Sequence, residues 1–264
     1  MKVIVITGAS SGIGYHTALR LSSSGVQLVL AARRRSLLEE LQAEIVGRGG
    51  HAAISVTDLR SQEDIAHMVA TCHEEYGRID VLINNAGFGY FGTVELMAPE
   101  LIDEILAVNF VAPVIATQAV LPIMREQQSG HIINVSSVAG KRGLPLSGIY
   151  SATKFALDGI SEALRVELKD AGIHVSVVYP VATATPFFDS VQKGDVDGGF
   201  KPVGYVQPVE KVADSIIRCI RRPCAQVYPY WPGRFLVWAN ALIPSVIDRA
   251  MLPFFRERVR ARRQ

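Results

Sequence analysis

Cysteine is scarce: Cys72, Cys219 and Cys224 are the only three in 264 residues. They have no C-x-x-C spacing and no histidine cluster beside them, which argues against a disulfide framework and a structural zinc, so no metal is expected. Net charge is scarce too. Lys and Arg number 27 against 25 Asp and Glu, a balance of +2, so no global field recruits nucleic acid. With 49% hydrophobic and 20% charged residues, the chain is not disordered, since disorder needs low hydrophobicity and high net charge. A membrane span of roughly 20 apolar residues is not expected. The longest uncharged run is read as Phe235 to Ile247, interrupted by Pro244. Val3-Ile4-Val5-Ile6 reads as a strand with no signal-peptide pattern, so a cytoplasmic protein is expected.

What is present is an alternation of strand and helix. Strands are expected at 3–7, 26–31, 52–56, 80–84, 131–135, 174–179 and 226–230. Helices are expected at 13–24 (closed by Gly25), 36–46 (opened by a Ser36…Glu39 capping box), 61–76 (capped by Ser61), 99–109, 112–127, 151–171 and 209–221. The strands are continuous apolar runs rather than alternating ones, as in a parallel sheet covered on both faces. The expectation is one doubly wound α/β domain over 1–230, with seven parallel strands and helices on both faces. An apolar and basic extension, 231–264, follows it. Ligand should sit at the carboxyl ends of the strands.

The first strand runs into Thr7-Gly8-Ala9-Ser10-Ser11-Gly12-Ile13-Gly14. Glycines let the backbone approach a ligand closely, and the helix that follows presents free N–H groups and a positive dipole end. A pyrophosphate suits that place. The spacing is G-x-x-x-G-x-G rather than the commoner G-x-G-x-x-G. Gly8 to Gly12 also fits the G-x-S-x-G elbow of a serine hydrolase, with Ser10 as nucleophile. That elbow normally follows several strands, and no histidine stands in a convincing loop downstream. Gly87 to Gly92 matches G-x-G-x-x-G, but no helix starts at its end, so it reads as a loop.

Sites selective for NAD place an acidic residue about 20 positions beyond the glycines, on the ribose 2′-OH. Here the second strand ends in Ala31-Ala32-Arg33-Arg34-Arg35, with no acid before Glu39. Guanidinium groups match a phosphate in charge and geometry. An adenosine 2′-phosphate, and hence NADP(H), is expected, with Arg33 the better candidate and Arg34 its neighbour.

Tyr150 and Lys154 are four apart on one helix and share a face. Bringing a phenol from about 10 to about 7 takes roughly 4 kcal/mol. A close ammonium and an oxidised nicotinamide's charge could supply it in a partly dry cleft. Such a phenol suits protonation of the alkoxide formed in carbonyl reduction. Asn134-Val135-Ser136-Ser137 ends the preceding strand and brings a hydroxyl to the same place.

With these pieces assembled, the sequence resembles the short-chain dehydrogenase/reductase family in its NAD(P)(H)-dependent Rossmann form. Thr7 to Gly14, Asp58, Asn84-Asn85-Ala86-Gly87, Asn109, Ser137, Tyr150, Lys154, Pro180 and Thr185 carry the resemblance, in the family's order and over 1 to about 230. The resemblance implies that Ser137 orients the substrate carbonyl and Tyr150 is the acid/base. Lys154 would hold the nicotinamide ribose and lower the tyrosine pKa. Asn109 would sit at a helix irregularity and hold a water of a proton relay. Cofactor contacts are expected from Gly8, Ser10, Ser11, Gly12, Ile13, Gly14, Arg33, Arg34, Asp58, Leu59, Asn85, Ala86, Gly87, Tyr150, Lys154, Pro180, Thr183 and Thr185, with Asp58 on adenine. The family usually has glycine after the proline; here Val181 follows Pro180 and adds bulk near the nicotinamide.

The substrate is expected to be a lipophilic carbonyl or alcohol, such as a steroid, retinoid or long-chain carbonyl. Ser137 and Tyr150 would hold it, with Phe88, Tyr90, Phe91, Leu144, Val181, Phe187 and Phe188 as apolar lining under a loop at 181–207 that reads as a lid. A nucleotide-sensing or scaffold protein on the same fold is the alternative. A homodimer or homotetramer is expected through helices 112–127 and 151–171, on Val114, Ile115, Val120, Phe155, Leu157, Leu164 and Leu168. Three roles compete for 231–264: covering the pocket, meeting a partner subunit, or peripheral contact with an anionic membrane.

Overall fold

The computed structural model describes residues 1–188, 191–194 and 204–260. Nine strands are described: β1 Lys2–Thr7, β2 Val26–Ala32, β3 His51–Val56, β4 Val81–Asn84, β5 Tyr90–Phe91, β6 Gly130–Val135, β7 Ile173–Val178, β8 Gln192–Lys193 and β9 Gln226–Val227. Seven form one parallel sheet in the order β3-β2-β1-β4-β6-β7-β9. The helices are α1 Gly12–Leu21, α2 Arg35–Gly47, α3 Gln62–Tyr76, α4 Pro99–Leu106, α5 Ala112–Glu126, α6 Gly148–Glu167, α7 Val209–Arg221, α8 Gly233–Leu242 and α9 Pro244–Arg260. This is the expected doubly wound Rossmann architecture. Strand order reverses direction between β1 and β4, and the crevice there opens at the carboxyl ends of the strands, where such sheets bind ligands.

The two faces of β1 show why its apolar run is unbroken. Ile4 and Ile6 pack into the layer of α1, α2 and α7, with Ala18, Leu38 and Ile216. Val3 and Val5 enter the opposite layer, with Ile65 and Met68 of α3 and Ala116 and Val120 of α5. Each such side chain contributes about 1.5–3 kcal/mol on burial. With both faces covered, no polar residue is wanted on either.

Several boundaries differ from expectation. The Ser36 box does not cap α2, because the helix already starts at Arg35 with Arg34 at its N-cap. Gly25 does not close α1, which ends at Leu21; its positive φ of 63° serves the turn into β2. Ser61 caps α3 as expected, accepting from Asp64 N at 3.1 Å. Helix α6 begins ahead of Tyr150, and β9 is only two residues long. Between α4 and α5 the chain never leaves helical form; Ala107–Val111 is a π-helical turn.

That continuous helix also corrects the reading of hydrophobic runs. Residues 105–124 carry no charge and outrun Phe235–Ile247. Pro99–Glu126 is, among the described residues, the one unbroken helix long and apolar enough to cross a membrane. Its Ala112, Ala116, Val120 and Met124 are instead core, packed with Ile132 and Ile173 of the sheet. Of the residues expected at an oligomer surface, Val120, Leu157 and Leu168 are buried in the protomer, while Phe155 is exposed.

Candidate active site

The glycine turn is built by close approach between β1 and β4. Gly8 has φ +66°, and a Cβ on it would lie 2.8 Å from Ala86 Cα. A Cβ on Gly14 would lie 2.5 Å from the Gly8 carbonyl oxygen and 2.6 Å from Asn85 Nδ2. The Asn85 amide explains the crowding: it donates to the carbonyls of Thr7 at 2.9 Å and Gly8 at 3.2 Å. Thr7 Oγ1 accepts from the Asn85 and Ala86 N–H groups at 3.0 and 3.2 Å. Ser11 stands at the N-cap of α1 in extended conformation, without a side-chain cap. The first N–H groups of α1, including that of Ile13, therefore keep their capacity for an anion.

Of the two arginines, Arg34 is the one against this turn. Its Nη2 donates to Ser10 Oγ at 2.9 Å and Ser11 Oγ at 3.0 Å, and its Nε to Ser10 Oγ at 3.3 Å. Arg33 is exposed and lies closer to Asp58, whose carboxyl is held below its usual range mainly by hydrogen bonds from Arg60, with a smaller pull from Arg33. The Ser10 hydroxyl thus meets a guanidinium rather than a general base, which disfavours the hydrolase reading. Asp58 follows β3 and pairs with Arg60 at 2.6 Å. Leu59 packs into the α3 layer.

Across the crevice, Ser137, Tyr150, Lys154 and Asn109 converge. Ser137 follows β6 and caps a short 3-10 turn, accepting from Ala139 N at 3.1 Å. Its hydroxyl approaches Pro180 O at 3.5 Å and lies near enough to the Tyr150 phenol to favour its ionised form. Lys154 is buried; its Nζ donates to the Val135 carbonyl at 2.9 Å and lies 5.8 Å from the centre of the Tyr150 ring. Asn109 sits in the π-helical turn and is fully buried. Its Oδ1 accepts from Phe88 N at 3.0 Å, and its Nδ2 donates to Phe88 O at 2.9 Å. Gly87 lies between the two: a Cβ there would be 3.0 Å from Asn109 Oδ1 and 3.6 Å from Lys154 Nζ.

Burial dominates the electrostatics of the chain alone. Burial pushes the Tyr150 phenol up to about 12, against a smaller downward pull from the Ser137 hydroxyl. Burial also pushes the Lys154 ammonium down to about 8, partly offset by Asp158 one turn further along α6. In the chain alone, burial dominates at the phenol, with the Lys154 Nζ 5.8 Å from the ring centre. A further positive charge in the crevice is needed to lower it.

The segment after β7 closes the site. Pro180 O accepts from Val138 N at 3.1 Å. Thr185 reaches the glycine turn: its Cβ and Cγ2 would be 3.4 Å from a Cβ on Gly12. Thr183 is buried and accepts from Gln207 Nε2 at 2.9 Å, and Gln207 also bonds the backbone of Ala182 and Ala184. Val181 turns towards α8, where its Cγ1 would be 3.2 Å from a Cβ on Gly233; its bulk packs on the extension. The aromatics divide. Phe187 lies over Tyr150, ring centres 5.9 Å apart, and Phe88 and Tyr150 both pack on the cluster of Tyr90, Met97 and Ile105. Tyr90 is turned into the core, only 4% exposed, with its hydroxyl directed to Thr93 O. Phe91 is buried with Leu146 and Val191, and Phe188 packs on them. Leu144 is half-buried, its N–H held by Ser151 Oγ at 3.1 Å. Of the expected lid, β8 pairs with β5, while Gly198 and Gly199 lie outside the described residues.

Sequence reading missed two supports, Gln207 and Asp158, and the pairing of two asparagines it had named, Asn84 and Asn134. Gln207 clamps the Thr183 segment from 24 residues away. Asp158 is buried, with Lys141 Nζ at 3.2 Å, and burial pushes its carboxyl up to about 6. Asn84 Nδ2 donates to Asn134 Oδ1 at 2.8 Å, and Asn134 Nδ2 to Ser161 Oγ at 2.8 Å, tying β4, β6 and α6 together. Asp158 carried a signal in its helical spacing from Lys154, Asn84 and Asn134 in the motifs they belong to, and Gln207 none.

The glycine cradle, uncapped helix end and arginine fork fit a dinucleotide, and comparison with known proteins agrees. A sequence model described as short chain dehydrogenase matches residues 2–195. An uncharacterized oxidoreductase of Staphylococcus saprophyticus is 38% identical over 230 residues, 84% of this chain and 91% of that protein. A 3-ketodihydrosphingosine reductase of Bacteroides thetaiotaomicron is 37% identical over 220 residues, 83% and 75% of the two chains. Among solved structures, a metagenomic short-chain oxidoreductase in complex with NADP is 33% identical, with TM-score 0.73 over 86% of this chain and 96% of that one. A 3-ketoacyl-(acyl-carrier-protein) reductase of Brucella melitensis complexed with NADH is 27% identical, with TM-score 0.77 over 86% and 96%. Nucleotide cofactors of both kinds therefore occur among the structural relatives.

Proposed function

The chain belongs to the short-chain dehydrogenase/reductase family, and on that premise we propose that it is an NADP(H)-dependent oxidoreductase acting on a lipophilic ketone or secondary alcohol. The observation that carries this reading is the meeting of Ser137, Tyr150 and Lys154 across the crevice from the glycine turn. A pure nucleotide sensor has no use for a proton donor there. The bound cofactor supplies the hydride. The glycine turn and the start of α1 hold the pyrophosphate, and Asn85 keeps that turn in shape. Arg34 exchanges its serine partners for the 2′-phosphate, which favours NADP(H) over NAD(H). Thr183 and Thr185 border the nicotinamide side. Ser137 holds the carbonyl oxygen, and the Tyr150 phenol gives its proton to that oxygen as the alkoxide forms. The Lys154 ammonium holds the ribose and, together with the nicotinamide's charge in the oxidised state, stabilises phenolate. Asn109 fixes the Phe88 backbone beside Lys154.

Phe187 over Tyr150 and Phe88 on the neighbouring cluster support a lipophilic substrate, as does the likeness to the 3-ketodihydrosphingosine reductase of Bacteroides. Exposed Val111, Phe155 and Val166 on and beside α5 and α6 support a homo-oligomer through those helices. NADPH oxidation over a panel of ketones and aldehydes tests the function. Turnover of long-chain or polycyclic carbonyls is expected, whereas turnover confined to small charged sugars or hydroxy acids contradicts the substrate class. Light scattering showing a monomer at micromolar concentration contradicts the oligomer.

A further inference from the structure

Helices α8 and α9 meet at a sharp corner. Both arms are apolar, and Gly233–Leu242 and Pro244–Pro253 lie at 116° to each other. Trp231, Phe235, Trp238, Leu242, Ile243 and Val246 are exposed there, Leu242 to 80%. The corner is nonetheless fastened to the protein. Arg142 donates to Asp248 Oδ1 at 2.6 Å and to Asn240 Oδ1 at 2.9 Å, and Asn240 Nδ2 donates to Lys141 O at 3.3 Å. Phe255 packs on the cluster of Phe91, Leu146 and Val191 beside the crevice. An apolar surface is thus held in place next to the substrate side, with nothing among the described residues to cover it.

Charge decides what covers it. Residues 231–264 contain seven arginines and two acids, Asp248 and Glu257; the other 230 residues contain 20 Lys and Arg against 23 Asp and Glu. Asp248 is already paired with Arg142. Arg234 lies over the Trp238 ring at 5.0 Å and the Tyr228 ring at 5.8 Å, joining aromatic and cation as headgroup-level residues do. We propose that the α8–α9 corner docks on an anionic lipid surface, its apolar side among the headgroups and its arginines on their phosphates. A second copy seated on the same patch would set one arginine-rich segment against another. The apolar arms do not span: Gly233–Leu242 and Pro244–Pro253 each reach only about 15 Å, half the hydrocarbon thickness, and they are bent at 116°. They lie in the interface, as apolar helices with a basic end do. The proposal does not depend on hydride transfer, but it would open the crevice towards the phase in which a lipophilic carbonyl dissolves.

Both tryptophans of the chain lie in this corner, so their fluorescence reports the contact directly. The full chain is mixed with vesicles of phosphatidylglycerol and phosphatidylcholine, or of phosphatidylcholine alone, and followed by co-sedimentation and by quenching from brominated acyl chains. Binding and quenching are expected with the anionic vesicles, falling at least about tenfold in neutral ones or at high salt. Leu242→Asp and Val246→Asp should abolish quenching while NADPH binding and oligomeric state stay unchanged. Absence of sedimentation with anionic vesicles overturns the proposal. So does a change of oligomeric state in these variants, which would make the corner a subunit interface. Failure of the oxidoreductase reading would appear separately, in NADPH titration and turnover without lipid.

Discussion

Replacing Arg34 by alanine should convert a phosphate-selective site into an indifferent one. Three short contacts, at 2.9, 3.0 and 3.3 Å, hold its guanidinium on Ser10 and Ser11 at the rim of the glycine turn. Those serines are neutral partners, so the fork can exchange them for a phosphate dianion. A charge-assisted hydrogen bond is worth about 1.5–3 kcal/mol, and about 1.4 kcal/mol is a factor of ten. One such bond lost from the NADPH complex should lower NADPH affinity about 10- to 150-fold, with little effect on NADH. Arg33 has no comparable hold on the turn, and Arg33→Ala should cost several-fold at most, through long-range attraction alone. Fluorescence titration of both cofactors against wild type and the two variants measures the ratio directly. An unchanged NADPH/NADH ratio in Arg34→Ala, or a larger loss in Arg33→Ala, would refute the assignment.

Gly14→Ala should damage the cradle from within, because its methyl would meet a backbone oxygen at 2.5 Å and an amide that cannot move without releasing Thr7 and Gly8. A stability loss of about 1–3 kcal/mol in denaturant unfolding is expected, together with weaker binding of both cofactors; an undisturbed protein would show the turn to be loose. His131 predicts an acid-sensitive fold. Burial pushes its imidazole down to about 3, Nε2 is bonded to Ser176, and Nδ1 has no partner among the described residues. The unfolded chain takes up that proton near 6.5, so stability is full above this value and falls as pH drops towards 3, by about 2–3 kcal/mol at pH 4.5. His131→Asn, which keeps a donor for Ser176, should flatten the profile between pH 4.5 and 6.5; a slope equal to wild type would place the acid sensitivity elsewhere.

The sheet was legible because its strands are buried on both faces and show as apolar runs, and α7 was read to the residue because one face of it is wholly apolar. What the sequence left obscure was decided by contacts distant in the chain. The run ending at Tyr230 pairs only at Gln226 and Val227, and beyond them Tyr228 stacks on Tyr179 and Tyr230 on Tyr205. The aromatics near the crevice could not be sorted by type: Phe187 lies over Tyr150, while Tyr90, two residues past the crowded Asn109–Phe88 contact, points into the core. Which of Arg33 and Arg34 touches the turn depends on the direction of each side chain, which proximity to the strand end does not give. The break between α4 and α5 reads as a gap because the i→i+5 bonds of the π-helical turn at Ala107–Val111 shift the apolar pattern out of its 3.6-residue register.

Tyr150→Phe tests the central claim most directly. It removes one oxygen from a half-buried ring and leaves Ser137, Lys154 and the glycine turn in place. The measurement is single-turnover oxidation of bound NADPH by a ketone, alongside titration of NADPH into the same variant. We predict unchanged NADPH binding and a rate lower by about 10²–10⁴-fold, the range of general-acid catalysis. A Tyr150→Phe variant that binds NADPH and reduces the ketone at the wild-type rate would contradict the account.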